Sequence, residues 1–405
     1  MPKLINKIQE FLRLETSAGF ILMGVSLLAL IINNSPLNHV YTGFLSTPVT
    51  IQFGGFEIAK PLLLWINDGL MAIFFFLVGL EIKREVLGGE LSSFDKASLP
   101  VFAALGGIMG PALIYAFFNW SDPVAIKGWA VPAATDIAFA LGVLALVGSR
   151  VPVSLKILLL AIAIIDDLAA IIIIAVFYTQ DLTLTALGFS SLGVLGLFIL
   201  NRSGVMRITP YALIGIFIWA CILKSGIHAT LAGVITALAI PRRHKNPKEK
   251  SPLHRAEHGL HFYVAFLILP LFAFANAGVS FAGISLEDIL SPIPLGIALG
   301  LFLGKQFGVF LVCWLMSRLG LARLPSGASW YQLYGIACLT GVGFTMSLFI
   351  GTLAFNDEAL LNSVRLGVLM GSLASGLLGF LILRSACKNL PATNGQESGG
   401  FSSSS

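Results

Sequence analysis

Asp166 and Asp167 stand side by side in AIAIIDDLAA (161–170), and from Ile157 to Val176 the chain has no other charged residue. Two more ionisable residues have equally apolar surroundings: Asp136 in GWAVPAATDIAFALG (128–142) and Lys305 in LGLFLGKQFGVFL (299–311). A charge at membrane depth costs at least about 2.5–3.5 kcal/mol, so it normally faces a bundle interior or a cavity and marks an ion or proton pathway. Carboxylates are hard oxygen ligands for alkali cations, and they also bind protons. A desolvated carboxyl beside a cation can be tuned toward neutral pH, where Na+ and H+ compete for the same oxygens. That competition is the simplest chemistry of cation/proton exchange. It needs one site, two mutually exclusive ligands and access from alternate sides.

Spacing limits how these groups can be used. Successive residues on a helix differ by about 100° in direction. Asp166 and Asp167 therefore point different ways, one toward a partner and the other toward a cavity. Lys305 is the only basic residue placed deep enough in an apolar segment to be that partner. Its alternative, snorkelling of the ammonium to an interface, is disfavoured because it lies about ten residues or more from either end of the segment 292–315. If helices break near Asp136 and near a second site, the acid offsets the positive half-helix ends and the lysine the negative ends.

The elements that carry these residues must cross a membrane. The chain has 405 residues, 57% hydrophobic and 11% charged, with a mean hydropathy of +0.90. A soluble globular chain is about 25% charged. Apolar windows of about 20 residues, enough to cross about 30 Å of hydrocarbon as helix, recur along the sequence. The expected architecture is all-α and polytopic, with twelve spans near 12–32, 60–80, 98–118, 124–147, 156–177, 183–201, 208–223, 225–240, 259–279, 292–315, 331–352 and 361–383. The seventh and eighth are short and almost contiguous. With the N-terminus inside, 20 of the 25 Lys and Arg fall on inner segments, which places both termini in the cytoplasm. The net charge of +5 then reflects topology and calls for no nucleic-acid partner. PKLINKIQEFLRLE at the N-terminus is too polar for the core of a cleavable signal peptide and reads as an amphipathic lead-in.

Residues 1–390 read as one transmembrane domain. The basic stretch around 241–257 is a cytoplasmic loop, and PATNGQESGGFSSSS (391–405) has the composition of a disordered tail. TPVTIQFGGFEI (47–58) has the pattern of an extracytoplasmic hairpin turning at Gly54-Gly55. A lone two-stranded hairpin is marginal in water, so it is a candidate contact with a second copy of the chain. Pro132, Thr135 and Asp136 interrupt the fourth span, and Gly341 and Gly343 in CLTGVGFTMSLF interrupt the eleventh. Irregular backbone at that depth survives only where protein or water satisfies it. Matched breaks in two inverted repeats, here spans 3–5 and 10–12, are a transporter signature. The four cysteines lie in or beside apolar spans without CxxC spacing and read as small buried hydrophobes.

Three function classes remain to be weighed. An intramembrane aspartyl protease would need Asp136 and Asp167 as a proton-sharing dyad, which a nearby Lys305 opposes. A sodium-coupled symporter would need an organic co-substrate. A secondary active cation/proton exchanger, which is no enzyme and has no cofactor, uses all the buried charges.

At this point five motifs in order, ATDIAFALGVLAL, LLLAIAIIDDLAAIIIIA, SGIHATLAG, RAEHGLHFYVAFLILPLFAFANAGV and LTGVGFTMSLFI, resemble the bacterial NhaA-type Na+/H+ antiporters, from about residue 5 to 385. Broken-helix architecture is defined in part on this same family, so it is not independent support. The resemblance implies electrogenic extrusion of Na+ or Li+ against inward H+ from a bacterial inner membrane, active at alkaline pH, in the service of cytoplasmic pH and sodium homeostasis. It implies a homodimer joined through the hairpin. It makes Asp167 the central cation carboxylate and Asp166 the neighbouring acid, paired with Lys305 and a second candidate Na+ ligand. Thr135, Asp136 and Gly343 fall at the two helix breaks. Glu81 and Glu85 in GLEIKREV resemble entry acids, and Glu257, His258 and His261 a cytoplasmic cluster linked to pH activation. His228 matches a histidine associated with pH response, and Asp68 a family acid without an assigned role. The residues alone leave another reading open. Glu81 and Glu85 can be a solvated loop beside Lys83 and Arg84, and Glu257 an ordinary acid at a helix start.

Overall fold

The computed structural model describes residues 2–54, 56–89, 91–148, 150–179, 183–243 and 251–388, without the side chains of 2–15, 53, 56 and 94–96. The expected tail 391–405, residues 244–250 of the loop and Gly55 of the hairpin turn lie outside them. Helices stand at all twelve expected positions. Eight are long and apolar enough to cross a membrane, and the count becomes ten when each bent pair is one span. The remaining two positions hold the shorter apolar helices Ile208–Ile222 and Leu231–Ala239. This is the helical, multi-pass membrane fold expected from the sequence.

Local chemistry sets many of the helix starts. Ser251 and Ser291 precede Pro252 and Pro292 at the first helical position, where proline's missing N–H costs nothing. Ser329 and Gln332 form a capping box at the start of Trp330–Leu339, and Asp357 accepts the N–H groups of Ala359 and Leu360. Between helix Phe94–Asn119 and the 3-10 segment Ala125–Ala133, the exposed Asp122 accepts from Val124 and Ala125. Those two bonds hold its carboxyl below the usual carboxylate range.

The two broken spans are Ala125–Ala133 with Ile137–Val147, bent by 44°, and Trp330–Leu339 with Phe344–Ala354, bent by 42°. Their linkers run past one another in the interior. The Asp136 N–H donates to Val342 O (2.7 Å). Both linkers are held between helix Val153–Phe177, the two helical segments that carry Lys305, and helix Glu358–Ala386. Gly106 and Gly110 on Phe94–Asn119 face Gly304 and Gly308 on the Lys305 span, and a Cβ on Gly106 or Gly308 would overlap the other's carbonyl. Small residues four apart let membrane helices meet backbone to backbone, and here that approach carries Lys305 into the centre.

Among the described residues the one sheet is the hairpin, Pro48–Phe53 paired antiparallel with Phe56–Pro61, with Phe53 opposite Phe56 across the turn. Gly54 has φ +59°, as a tight two-residue turn demands. The Leu62 N–H donates to Thr47 O (2.9 Å), the Trp65 indole donates to Val49 O (3.0 Å), and Lys60 pairs with Asp68 (2.7 Å). These contacts fasten the hairpin to the helix that carries Glu81, which lies about 28 Å further along at 1.5 Å per residue.

Candidate functional site

Asp166 and Asp167 are both buried, on a helix that is apolar all round, Val153–Phe177. They diverge as adjacent helical residues must. Asp166 faces the wholly buried Lys305, whose Nζ donates to its Oδ2 at 2.5 Å and to Thr135 Oγ1 at 3.0 Å. The Thr135 hydroxyl also lies 2.6 Å from Asp166 Oδ2 and 2.9 Å from Thr340 O. It has one proton to donate and lone pairs to accept from the ammonium. One threonine thus joins the acid, the base and the second broken span.

Asp167 turns the other way, into a cavity of about 50 Å³. Thr135, Asp136, Thr345 and Met346 line its deep end with Asp167, and Glu81 and His261 line the other. Asp167 Oδ1 is buried and has no hydrogen-bond partner among the described residues. A buried carboxylate oxygen without a donor is costly, and a cation or proton arriving through the cavity would remove that cost. Among the described residues, no lysine or arginine lines the cavity.

Asp136 occupies the crossing. Its Oδ1 accepts the Phe139 N–H (2.9 Å), and its Oδ2 accepts the N–H (2.9 Å) and hydroxyl (2.5 Å) of Thr345. It therefore caps the N-terminal ends of both Ile137–Val147 and Phe344–Ala354, where a negative charge offsets the helix dipoles. Ser372 Oγ accepts from the Gly343 (3.2 Å) and Phe344 (3.3 Å) N–H groups, completing the second cap. A Cβ on Gly343 would overlap Ser347 and crowd Ala134 O, so that linker needs a glycine. The bonds that Lys305 makes run to Asp166 and Thr135 and reach no half-helix carbonyl among the described contacts. Lys305 is linked to the negative end of Trp330–Leu339 through Thr135, which bonds Thr340 O.

A second cluster sits at the Glu81 end of the cavity. Arg84 bonds Glu85 (2.8 and 3.0 Å) and Glu257. His261 Nδ1 lies 3.9 Å from Glu81 Oε1, an ion-pair distance when the imidazole is protonated. Glu81, Glu85, Glu257 and His261 are thus brought together, more closely than the solvated-loop reading allows. His258 is not among them. It is on the exposed face of the same helix, its ring 6.1 Å from that of His254. Nor is His228, whose Nε2 lies 2.6 Å from Tyr178 O at the far end of Val153–Phe177. Asp68, in a π turn over Ile66–Leu70, holds Lys60 of the hairpin and accepts the Trp219 indole N–H at its carbonyl (3.1 Å).

Sequence reasoning missed Arg84, Thr345 and Ser372 as parts of these sites. Thr345 had a signal, since it is the second residue after a glycine break. Ser372 and Ser375 repeat at helical spacing and mark a polar stripe on an apolar helix.

Residues 9–383 match the family model described as Na+/H+ antiporter 1. The chain is 58% identical over 397 residues to a Na+/H+ antiporter NhaA of Rhodospirillum rubrum, covering 96% of this chain and 99% of that protein. It is 57% identical over 385 residues to Na+/H+ antiporter NhaA 1 of Syntrophotalea carbinolica, covering 95% and 97%. The NhaA antiporter of Aeromonas hydrophila is 55% identical over 392 residues, covering 96% and 98%.

Proposed function

The chain belongs to the Na+/H+ antiporter 1 family, and from that membership we propose an electrogenic Na+(Li+)/H+ antiporter of a bacterial inner membrane that binds its cation at Asp167. One observation carries the assignment. Both acids have one oxygen without a hydrogen-bond partner among the described residues, but Asp167 is the one that lines the cavity, whereas Asp166 is neutralised by Lys305. Na+ and H+ compete for Asp167. Asp166, freed from Lys305 when the cation enters, is the second ligand. Two protons leave for each Na+, from Asp167 and either Asp166 or Lys305, so charge moves in each cycle. Thr135, Asp136 and Gly343 hold the broken helices on which this depends.

Alternating access is supported by the asymmetry of the interior. The cavity runs from Asp167 to Glu81 and His261. On its other side the buried rings of Phe75 and Phe272 pack on Phe349, with centroids 5.4 and 6.1 Å away. The Glu81 end is taken as cytoplasmic from the distribution of basic residues, with both termini on that side. Glu81, Glu85, Glu257 and His261 are the entry and the pH-responsive group, with His228 and His258 as more distant contributors. As the medium becomes alkaline, an imidazole such as that of His261 loses its proton, and the mouth attracts Na+ more strongly.

The test is sodium-induced proton release from respiring everted vesicles, between about pH 6.5 and 8.5, a window that starts at the usual histidine pKa. Release that rises with pH and carries charge supports the proposal. Its absence from folded protein at every pH overturns it. Inward Na+ flux requiring an organic co-substrate would instead select the symporter.

The hairpin is the proposed homodimer contact, because its outer edges carry strand groups unpaired within the described chain. Deleting residues 48–61 should convert the dimer to a monomer by native mass spectrometry. An unchanged mass would remove the hairpin from the interface.

A further inference from the structure

Lys305 reaches Asp166 because of an irregularity in its own helix. Residues Gly300–Gly304 form a π turn, and the Lys305 N–H donates to Gly300 O, five residues back. Each residue on a helix is turned by about 100° from the last, so relaxing this turn to α-helical geometry would swing Lys305 away from Asp166. A π turn is less stable than the α form and persists where something holds it, often at functional sites.

The residue that follows supplies the hold. Gln306 is 2% exposed, and its side-chain amide donates to Phe302 O inside the π turn. Its Oε1 accepts from the Tyr334 hydroxyl (2.7 Å) and lies 3.4 Å from Cys338 Sγ. Tyr334 and Cys338 belong to Trp330–Leu339, the half-helix after which Thr340 O meets Thr135. Lys305 and Gln306 are adjacent and diverge, so Gln306 touches neither carboxylate. It joins the π turn to the second broken span on one side while Lys305 and Thr135 join them on the other.

We infer that Gln306, with Tyr334 and Cys338, is a positioning residue that locks the π turn and thereby sets where Lys305 Nζ meets Asp166. The inference deepens the proposed exchange mechanism and rests on it for its transport readout. With the turn unlocked, Lys305 holds Asp166 less well. The buried acid then takes up a proton that Na+ must displace.

Two measurements test this. Gln306→Met keeps length and volume but removes both kinds of bond. It should raise the apparent KM for Na+ by about three- to tenfold, the scale of one hydrogen bond, with the maximal rate within about twofold of wild type. Tyr334→Phe, which leaves the Phe302 bond intact, should shift KM in the same direction by less. An unchanged KM in both variants, with wild-type exchange intact, overturns the inference while leaving the transport proposal standing. The second readout needs no transport. The drop in unfolding midpoint caused by Gln306→Met should shrink in a chain that already carries Asp166→Asn and Lys305→Met, because contacting groups are coupled in such cycles. Equal drops in both backgrounds mean that Gln306 acts on general packing and not on the pair. If wild type shows no exchange, the transport proposal fails and this coupling alone decides the positioning role. If Gln306→Met does not fold, Tyr334→Phe decides in both assays.

Discussion

Asp167→Asn should abolish sodium-induced proton release, lowering the rate at Na+ concentrations that saturate the wild type by at least roughly a hundredfold, while the protein unfolds near the wild-type midpoint. Both halves follow from the environment of this carboxyl. Removing one charge of a buried ion pair costs about 3–5 kcal/mol, and a Na+ held at Asp167 is such a pair. Each 1.4 kcal/mol is about tenfold in occupancy, so the cation site is lost. Stability is spared because Asp167 makes no salt bridge and its Oδ1 has no partner to lose. The amide fits the same volume and introduces no unpaired charge. Full exchange by the folded variant would mean that the cation binds elsewhere and that the unpartnered oxygen has another cause. A rise in KM and a fall in rate only as large as those of an ordinary cavity residue would demote Asp167 to a lining role.

The central charges were legible because helical geometry and desolvation act on single residues. Adjacent aspartates on a helix must diverge, and a lysine deep in an apolar span must find an acid. The pairing of Lys305 with Asp166 at 2.5 Å follows from those two constraints. The broken spans were legible too, since proline and glycine at membrane depth interrupt the hydrogen-bond ladder. What escaped depends on contacts between segments about 200 residues apart. That Asp136 offsets the positive half-helix ends was legible, but its bonds to Thr345 exist only because the two linkers cross, and no local pattern in either linker encodes those partners. Arg84 looked like one of two solvated cations and instead bridges Glu85 and Glu257, because the helix after Ser251 returns to the same end of the bundle. The three π turns, Ile66–Leu70, Val264–Ile268 and Gly300–Gly304, have no composition that separates them from α-helix. Each lies at or beside a residue singled out here: Asp68, His261 and Lys305. The cluster at the cavity mouth was read as one group of three residues, but a helix cannot present the successive residues Glu257 and His258 to the same side. Glu257 is 6% exposed, and His258 faces outward.

Lys305→Met should destabilise the protein by about 3–5 kcal/mol, because it leaves Asp166 buried without its cation. The methionine matches the lysine stem in length, so packing contributes little to the loss. The diagnostic step is the second substitution. Adding Asp166→Asn removes the orphaned charge, and the double variant should recover most of the lost stability, since replacing both members of a buried pair is often neutral. Thr135 still has Thr340 O to bond, so the crossing of the linkers survives. The measured quantity is the coupling across the four-variant cycle in unfolding midpoint. A strong coupling of the stated sign identifies an ion pair in the folded protein. A Lys305→Met variant that unfolds like wild type would show that the two groups are not a charged pair, and the exchange mechanism would lose its neutralising base. The same double variant also constrains charge movement. It retains Asp167 and lacks both candidates for the second proton. Any exchange that survives must therefore return one proton for each Na+, and the sodium-driven membrane potential of wild-type vesicles should disappear while pH-coupled flux remains. Persistent charge movement in that variant would place the second proton carrier outside the Asp166–Lys305 pair, among the other titratable groups that line the cavity: Asp136 at its deep end, and Glu81 and His261 at its mouth.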